Sequence, residues 1–236
     1  MNKTILSRLL LITAFCLASV SGLHGQEPKQ KSPFRFSCVS FKELSFSQLF
    51  YREGKKYLPL SVVANNRSAP VPLKGMNSLE LFIEHVGSDD VRSYKLVGKS
   101  ALPKGAELAL FFIFERSSAG ALPLTLKGID DSMDVFPPGS FRFANFTKIP
   151  LKLRFGTTNG NIKPGGFTVV KSNVEAAGGF LPLWLTTSTG KKVYENRLWS
   201  QLSGRDMLFI GPPPRPGGTV SVMLLPQVVP PEPEGP

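Results

Sequence analysis

Trp184, Trp199 and Phe180, with the cations Lys191, Lys192 and Arg197, are the residues whose types and spacing best suit a binding surface. Aromatic rings offer flat apolar contact and also attract cations to their faces. Together with basic side chains they suit a glycan or another anionic envelope polymer. Period-two alternation over residues 180–187 places Phe180, Pro182 and Trp184 on one face of a strand. The competing reading buries that row, since aromatic rows in a sandwich commonly form the core.

Catalytic chemistry finds little support. The two histidines are His24 and His85, and His24 falls in the N-terminal leader. A His-rich metal site is therefore excluded, and a Ser-His-Asp device would have to use His85. Glu84-His85, followed by Asp89 and Asp90, reads as a polar strand end. A Cys38–His85 pair is conceivable, but nothing in the sequence brings the two together. No Gly-x-Ser-x-Gly or phosphate-loop pattern occurs. Asp130, Asp131 and Asp134 form an acidic cluster of the kind that supplies oxygen ligands to calcium, yet their spacing departs from the calcium-loop pattern. A solvated loop is the alternative. Carboxylate pairs for glycoside hydrolysis stay open only because Asp and Glu are scattered, with nothing to select a pair. No catalytic residue, cofactor or metal is assigned.

Residues 1–25 read as a secretory signal. Lys3 and Arg8 form its basic start, and residues 9–20 its apolar core, too short for a comfortable membrane span. Cleavage is expected between Ser21 and Gln26. Phe15 before Cys16 argues against a lipoprotein signal. Cys38 is then the only cysteine, so no intrachain disulfide forms. It shares a strand face with Phe34 and Phe36 and is expected in a core.

The 236-residue chain carries 28 basic and 17 acidic residues, a net charge of +11. Such a charge suits contact with an anionic envelope polymer. It equally suits simple solubility, because the largest basic clusters are the pairs Lys55-Lys56 and Lys191-Lys192. Nucleic acid is excluded as a partner on the same ground. Glycine (22) and proline (21) are abundant, as many short strands and tight turns require.

Residues 136–170 show the construction most clearly. Pro137-Pro138-Gly139 turns the chain, residues 140–147 alternate, and Leu151, Leu153 and Phe155 alternate with Lys152 and Arg154 as a strand with one wet face. Asn159-Gly160 is a hairpin-turn dipeptide and Lys163-Pro164-Gly165-Gly166 a further turn. Short spacings leave no room for helical crossovers, so antiparallel strands joined by tight turns are expected and a parallel sheet is not. Residues 43–52 are ambiguous between helix and strand, and residues 192–199 read as a strand with a one-turn helix as alternative. A weak repeat aligns residues 102–124 with 162–183 through Pro-Lys-Gly or Lys-Pro-Gly turns and Leu-Pro-Leu strands. The expected fold is all-β, an antiparallel β-sandwich built as two related units in tandem, residues 33–135 and 136–226. A Pro-rich tail follows at residues 227–236.

The phrases PPGSFRFANFT, PLKLRFG and IKPGGFTVV, with YREGKKYLPLSV and LELF upstream, resemble a pattern in exported bacterial β-rich proteins of unassigned function. The resemblance spans most of the chain after the leader. It implies an exported β fold and carries over no catalytic or binding residue.

The sequence thus leads to an exported, non-catalytic β-sandwich protein, periplasmic or extracellular. It would serve as a structural or interaction module of the cell envelope. Its partner would be an envelope protein or an anionic envelope polymer, met through Trp184, Lys191, Lys192, Arg197 and Trp199. A carboxylate-dependent hydrolase of envelope polysaccharide and a calcium-dependent adhesion domain are the alternatives.

Overall fold

A computed structural model describes residues 33–87, 90–116, 122–174, 178–215 and 217–227. The expected signal segment and most of the Pro-rich tail lie outside the described residues.

Sixteen strands follow one another among the described residues, with no helix. They are β1 (Arg35–Ser40), β2 (Leu49–Glu53), β3 (Lys56–Leu60), β4 (Val71–Pro72), β5 (Ser78–Val86), β6 (Arg92–Ala101), β7 (Leu108–Glu115) and β8 (Leu124–Asp130). After a linker come β9 (Ser140–Asn145), β10 (Leu151–Phe155), β11 (Thr158–Ile162), β12 (Phe167–Lys171), β13 (Gly179–Thr187), β14 (Lys192–Ser200), β15 (Arg205–Gly211) and β16 (Ser221–Leu225). The ambiguous segment 43–52 thus resolves to irregular chain leading into β2, and residues 192–199 form a strand.

The strands make four four-stranded sheets, two for each half of the chain. The first half has β3-β2-β5-β6 facing β4-β1-β7-β8, and the second has β11-β10-β13-β14 facing β12-β9-β15-β16. The two orders are identical when each strand is shifted by eight. The halves match in detail as well. In each, a two-residue turn closes the first hairpin, with Gly54 (φ 60°) or Gly156 (φ 57°) leading it. Only glycine accepts positive φ there without cost, which makes these type II′ turns. Each half also carries a bulge at the same place, after Leu81 in β5 and after Leu185 in β13.

Two sequence-based expectations need correction. Asn159-Gly160 is not a turn, because Gly156-Thr157 already reverses the chain and both residues lie in β11 opposite β10. The repeat also has a different register. The Lys-Pro-Gly turns had aligned β7 and β8 with β12 and β13, whereas topology matches β7 to β15 and β4 to β12. Turn chemistry recurs wherever strands end, so it misaligned the two halves. Within these mainly antiparallel sheets β1 runs parallel to β7, and β9 to β15, in six-residue registers. The first and seventh strands of each half meet from distant parts of the chain, so no direct crossover is needed between them.

Three cores stack through the molecule. Phe36, Cys38, Tyr51, Leu79, Leu81, Phe111 and Ile113 fill the first sandwich. Phe141, Phe143, Leu153, Phe155, Leu183, Leu185 and Leu208 fill the second. The third core lies between the halves, where β1 and β7 present Val39, Leu110 and Phe112 to Ala144, Met207 and Phe209 of β9 and β15. The strands β4-β1-β7-β8 and β12-β9-β15-β16 are therefore inner sheets, and the other two sheets are outer. This explains why β9 is buried at every position: Phe141 and Phe143 enter one core, Ala144 the other. The described residues accordingly form one compact unit.

The third core is held by a ring cluster. Phe41 meets Phe209 at 4.7 Å and Phe146 meets Phe112 at 5.4 Å, centroid to centroid. In the matched registers Phe41 corresponds to Phe146 and Phe112 to Phe209. Each contact is thus the counterpart of the other, as in a two-fold interface. Truncating Phe112 to alanine should cost about 3–5 kcal/mol, the range for a fully buried aromatic. Trp199→Ala, on an exposed ring, should change stability by less than about 1 kcal/mol. Urea unfolding of both variants checks this contrast.

Candidate functional site

The acidic cluster resolves into residues of different fates. Asp134 is exposed, whereas Asp131 is fully buried where the linker leaves β8. Asp131 Oδ2 accepts hydrogen bonds from Arg67 and Arg205, each at 2.7 Å, and Oδ1 accepts one from Arg142 at 3.2 Å. Arg205 also donates to the main-chain oxygens of Asp131 and Phe136, and both Arg67 and Arg205 donate to Gln227. The Phe136 ring lies 4.4 Å from the Arg142 guanidinium and 4.8 Å from that of Arg205. Burial pushes Arg142 down to about 10, against the pull of Asp131 and helped by the positive charges of Arg205 and Arg67. It remains charged at neutral pH. A carboxylate enclosed by three guanidinium groups does not offer its oxygens to calcium, so the cluster is an internal lock joining β8, β9 and β15. Among the described residues no His, Cys, Asp or Glu group is arranged to hold a metal.

Cys38 lies wholly inside the first core, where burial pushes its thiol far above the ordinary range. It is a small core residue, and an inert one. His85 sits exposed near the end of β5, so the structure does not unite it with Cys38.

The aromatic row of β13 behaves differently from the commoner fate of such rows. Phe180 is 58% exposed and Trp199 50% exposed, and their rings meet edge to face at 5.0 Å. Alternation along β13 sends Leu183 and Leu185 into the core and Pro182, Trp184 and Thr186 outward. Register then sets Trp199 beside Phe180, Arg197 beside Pro182 and Glu195 beside Trp184. Trp184, Arg197, Trp199 and Lys192 therefore share the outer face, as does Phe180. Lys191 does not: it lies in the turn joining β13 to β14, bonded through its backbone to Thr187.

Four residues of this face escape recognition from the β13–β14 sequence alone. Strand β10 pairs with β13 and brings Arg154 opposite Trp184 and Lys152 opposite Thr186. Strand β11 adds Asn159 beside Arg154 and Asn161 beside Lys152. The visible signal was the wet side of LKLRF; its nearness to Trp184 arises only from sheet pairing. Arg154 stacks on the Trp184 ring at 4.9 Å. A hollow of about 530 Å³ opens among Lys152, Arg154, Asn159, Asn161, Trp184 and Thr186. Trp184 also walls a second hollow, shared with Pro182, Glu195 and Arg197.

The charges of the face are uneven. Glu195 is its single carboxylate among the described residues. Hydrogen bonds from Lys192 and from Trp184 Nε1 hold Glu195 below the ordinary carboxylate range. Lys152, Arg154 and Arg197 have no ion-pair partner among the described residues.

The outer face of the first sandwich is closed by contrast. Arg52 and Lys99 both pair with Glu80, at 2.6 and 2.8 Å, and Arg92 pairs with Glu84 at 3.4 Å. Tyr57 stacks on Tyr94 at 3.9 Å, and Phe50 and Phe82 close around them. Rings and charges there are spent on one another.

Comparison of the chain with known protein families and with characterised proteins finds no match.

The Asp131 lock gives a direct test. Asp131→Asn leaves three guanidinium groups packed together without a counter-charge, and should cost about 3–5 kcal/mol. Asp134→Asn should change stability by less than about 0.5 kcal/mol. Denaturant midpoints compared at equal slope check both.

Proposed function

We propose that this is an exported, non-catalytic β-sandwich protein of the cell envelope, periplasmic or extracellular, acting as an interaction module. Its outer β11-β10-β13-β14 face is the docking surface, and its partner is an anionic envelope polymer. One observation carries the reading. Three aromatic side chains and three cations with no ion-pair partner among the described residues share a single open sheet face, while the matching face of the other half is self-satisfied.

Physical reasons favour binding over catalysis for such a face. It is broad and wet rather than a cleft, so charges on it are weakly focused and water is not excluded. Exposed rings with guanidinium neighbours are instead suited to holding an extended ligand by area and charge together. The N-terminal basic and apolar pattern supports export, and the +11 net charge supports an acidic partner.

The test is retention of the purified protein on isolated envelope polysaccharide. Binding is expected at low salt and should be largely lost near 1 M, where the Debye length falls to about 3 Å. Combined Trp184→Ala and Trp199→Ala should abolish retention while leaving the melting temperature within a few degrees. Failure to retain the unaltered protein at any salt would overturn the proposal.

A further inference from the structure

We propose that the hollow beside Trp184 is a subsite for an acidic sugar residue of a polymer. Lys152 and Arg154 would hold its carboxylate, Trp184 would form its apolar wall, and Asn159, Asn161 and Thr186 would meet its hydroxyls. The proposal rests on the binding-module reading above and names the ligand class of that same face.

The duplicated fold supplies an internal control. In the matched registers Arg52 of β2 corresponds to Arg154 of β10, and Glu80 of β5 to Trp184 of β13. In the first half Arg52 finds its carboxylate in Glu80 at 2.6 Å, and Lys99 shares it. In the second half the backbone and the arginine are kept, but the carboxylate is gone and an indole stands there. The position of Lys99 is taken by Glu195, which is turned to Lys192 and to Trp184 Nε1 rather than to Arg154. Arg154 is therefore a guanidinium whose built-in partner has been removed, on a strand that still presents it. Lys152, two residues back along the same face of the strand, occupies the place of Phe50, an apolar ring in the first half, so a second cation has been added where a closing aromatic was lost.

The walls narrow the ligand class. Tyr57 and Pro59 of β3 correspond to Asn159 and Asn161 of β11. The ring that closes the first face by stacking on Tyr94 is replaced by an amide, which opens the hollow and lines it with hydrogen-bonding groups. Amides and a threonine hydroxyl donate and accept, and so suit hydroxyls. A guanidinium with an adjacent ammonium suits a carboxylate. An indole wall suits the apolar side of a ring. A volume near 530 Å³ lies in the range of small-ligand sites. An acidic pyranose offers all three chemistries at once, whereas a bare phosphate chain would leave the amides and indole idle.

The experiment measures binding of polygalacturonate, neutral dextran and inorganic polyphosphate to the purified protein. Trp184 and Trp199 are its only tryptophans, so intrinsic fluorescence reports this face directly. Polygalacturonate should bind and shift the fluorescence. Arg154→Ala should weaken it about tenfold, as loss of a charge-assisted contact implies, while Arg52→Ala on the other face should not. A Trp184→Glu, Glu195→Lys double variant copies the closed pattern of the first half; it should fold with an unchanged melting temperature and lose the site. Equal binding of dextran or of polyphosphate, or polygalacturonate binding that ignores Arg154, would overturn the acidic-sugar assignment while leaving the envelope-binding reading in place. Absence of binding to all three overturns it as well, and retention on envelope polysaccharide then separately decides the wider reading.

Discussion

Phe41, Phe112, Phe146 and Phe209 close the space between the two inner sheets, and the architecture depends on that contact. Each inner sheet already spends one face on its own sandwich core. The other face, carrying Val39, Leu110, Phe112, Ala144, Met207 and Phe209, would otherwise stand in water. Burying it stabilises the pairing through apolar area, and the rings add edge-to-face geometry. The Asp131 lock sits at the same junction and draws β8, β9 and β15 together around one carboxylate. Such a lock adds little net stability over an apolar equivalent, but breaking it exposes the full cost of buried charge. It constrains how the halves meet more than how strongly.

Consumption of both inner faces decides where binding can occur. Only the two outer sheets retain an open face, and they share a backbone plan down to the position of a bulge. Their side chains divide the roles. One face neutralises Arg52, Lys99 and Arg92 internally and stacks its tyrosines. The other leaves Lys152, Arg154 and Arg197 without carboxylate partners among the described residues, and Phe180 and Trp199 in solvent. Duplication followed by divergence of one face would leave this pattern: a structural copy and a binding copy, the first half keeping the contacts that make the second half's vacancies visible.

The strands themselves were readable from period-two alternation, because a half-buried strand must alternate. LKLRF is the clearest instance, with Leu151, Leu153 and Phe155 buried and Lys152 and Arg154 exposed. Cys38 in a core was readable for the same reason, whereas the tandem plan of two sandwich-like units was inferred from a turn-and-strand repeat whose register the topology shifts. The true hairpin turn at Gly156-Thr157 was not readable, since Asn159-Gly160 is the stronger local signal and only pairing shows it to be strand. The parallel pairs β1–β7 and β9–β15 were also hidden, because alternation gives a strand's faces but never its neighbour's direction.

On the candidate surface, Trp184, Lys192, Arg197 and Trp199 were legible as a group, for they lie on one hairpin and are close in sequence. Lys191 lies one residue before β14, in the turn rather than in the sheet. Lys152, Arg154, Asn159 and Asn161 belong to a different hairpin, and their place beside Trp184 depends on β10 choosing β13 as its neighbour. By itself the sequence determined local things: which residues alternate, where glycine permits a turn, how much charge the chain carries. The tertiary structure decided which faces met which. An aromatic row reads alike whether it ends in a core or in water, and burial depends on what packs against it rather than on the row.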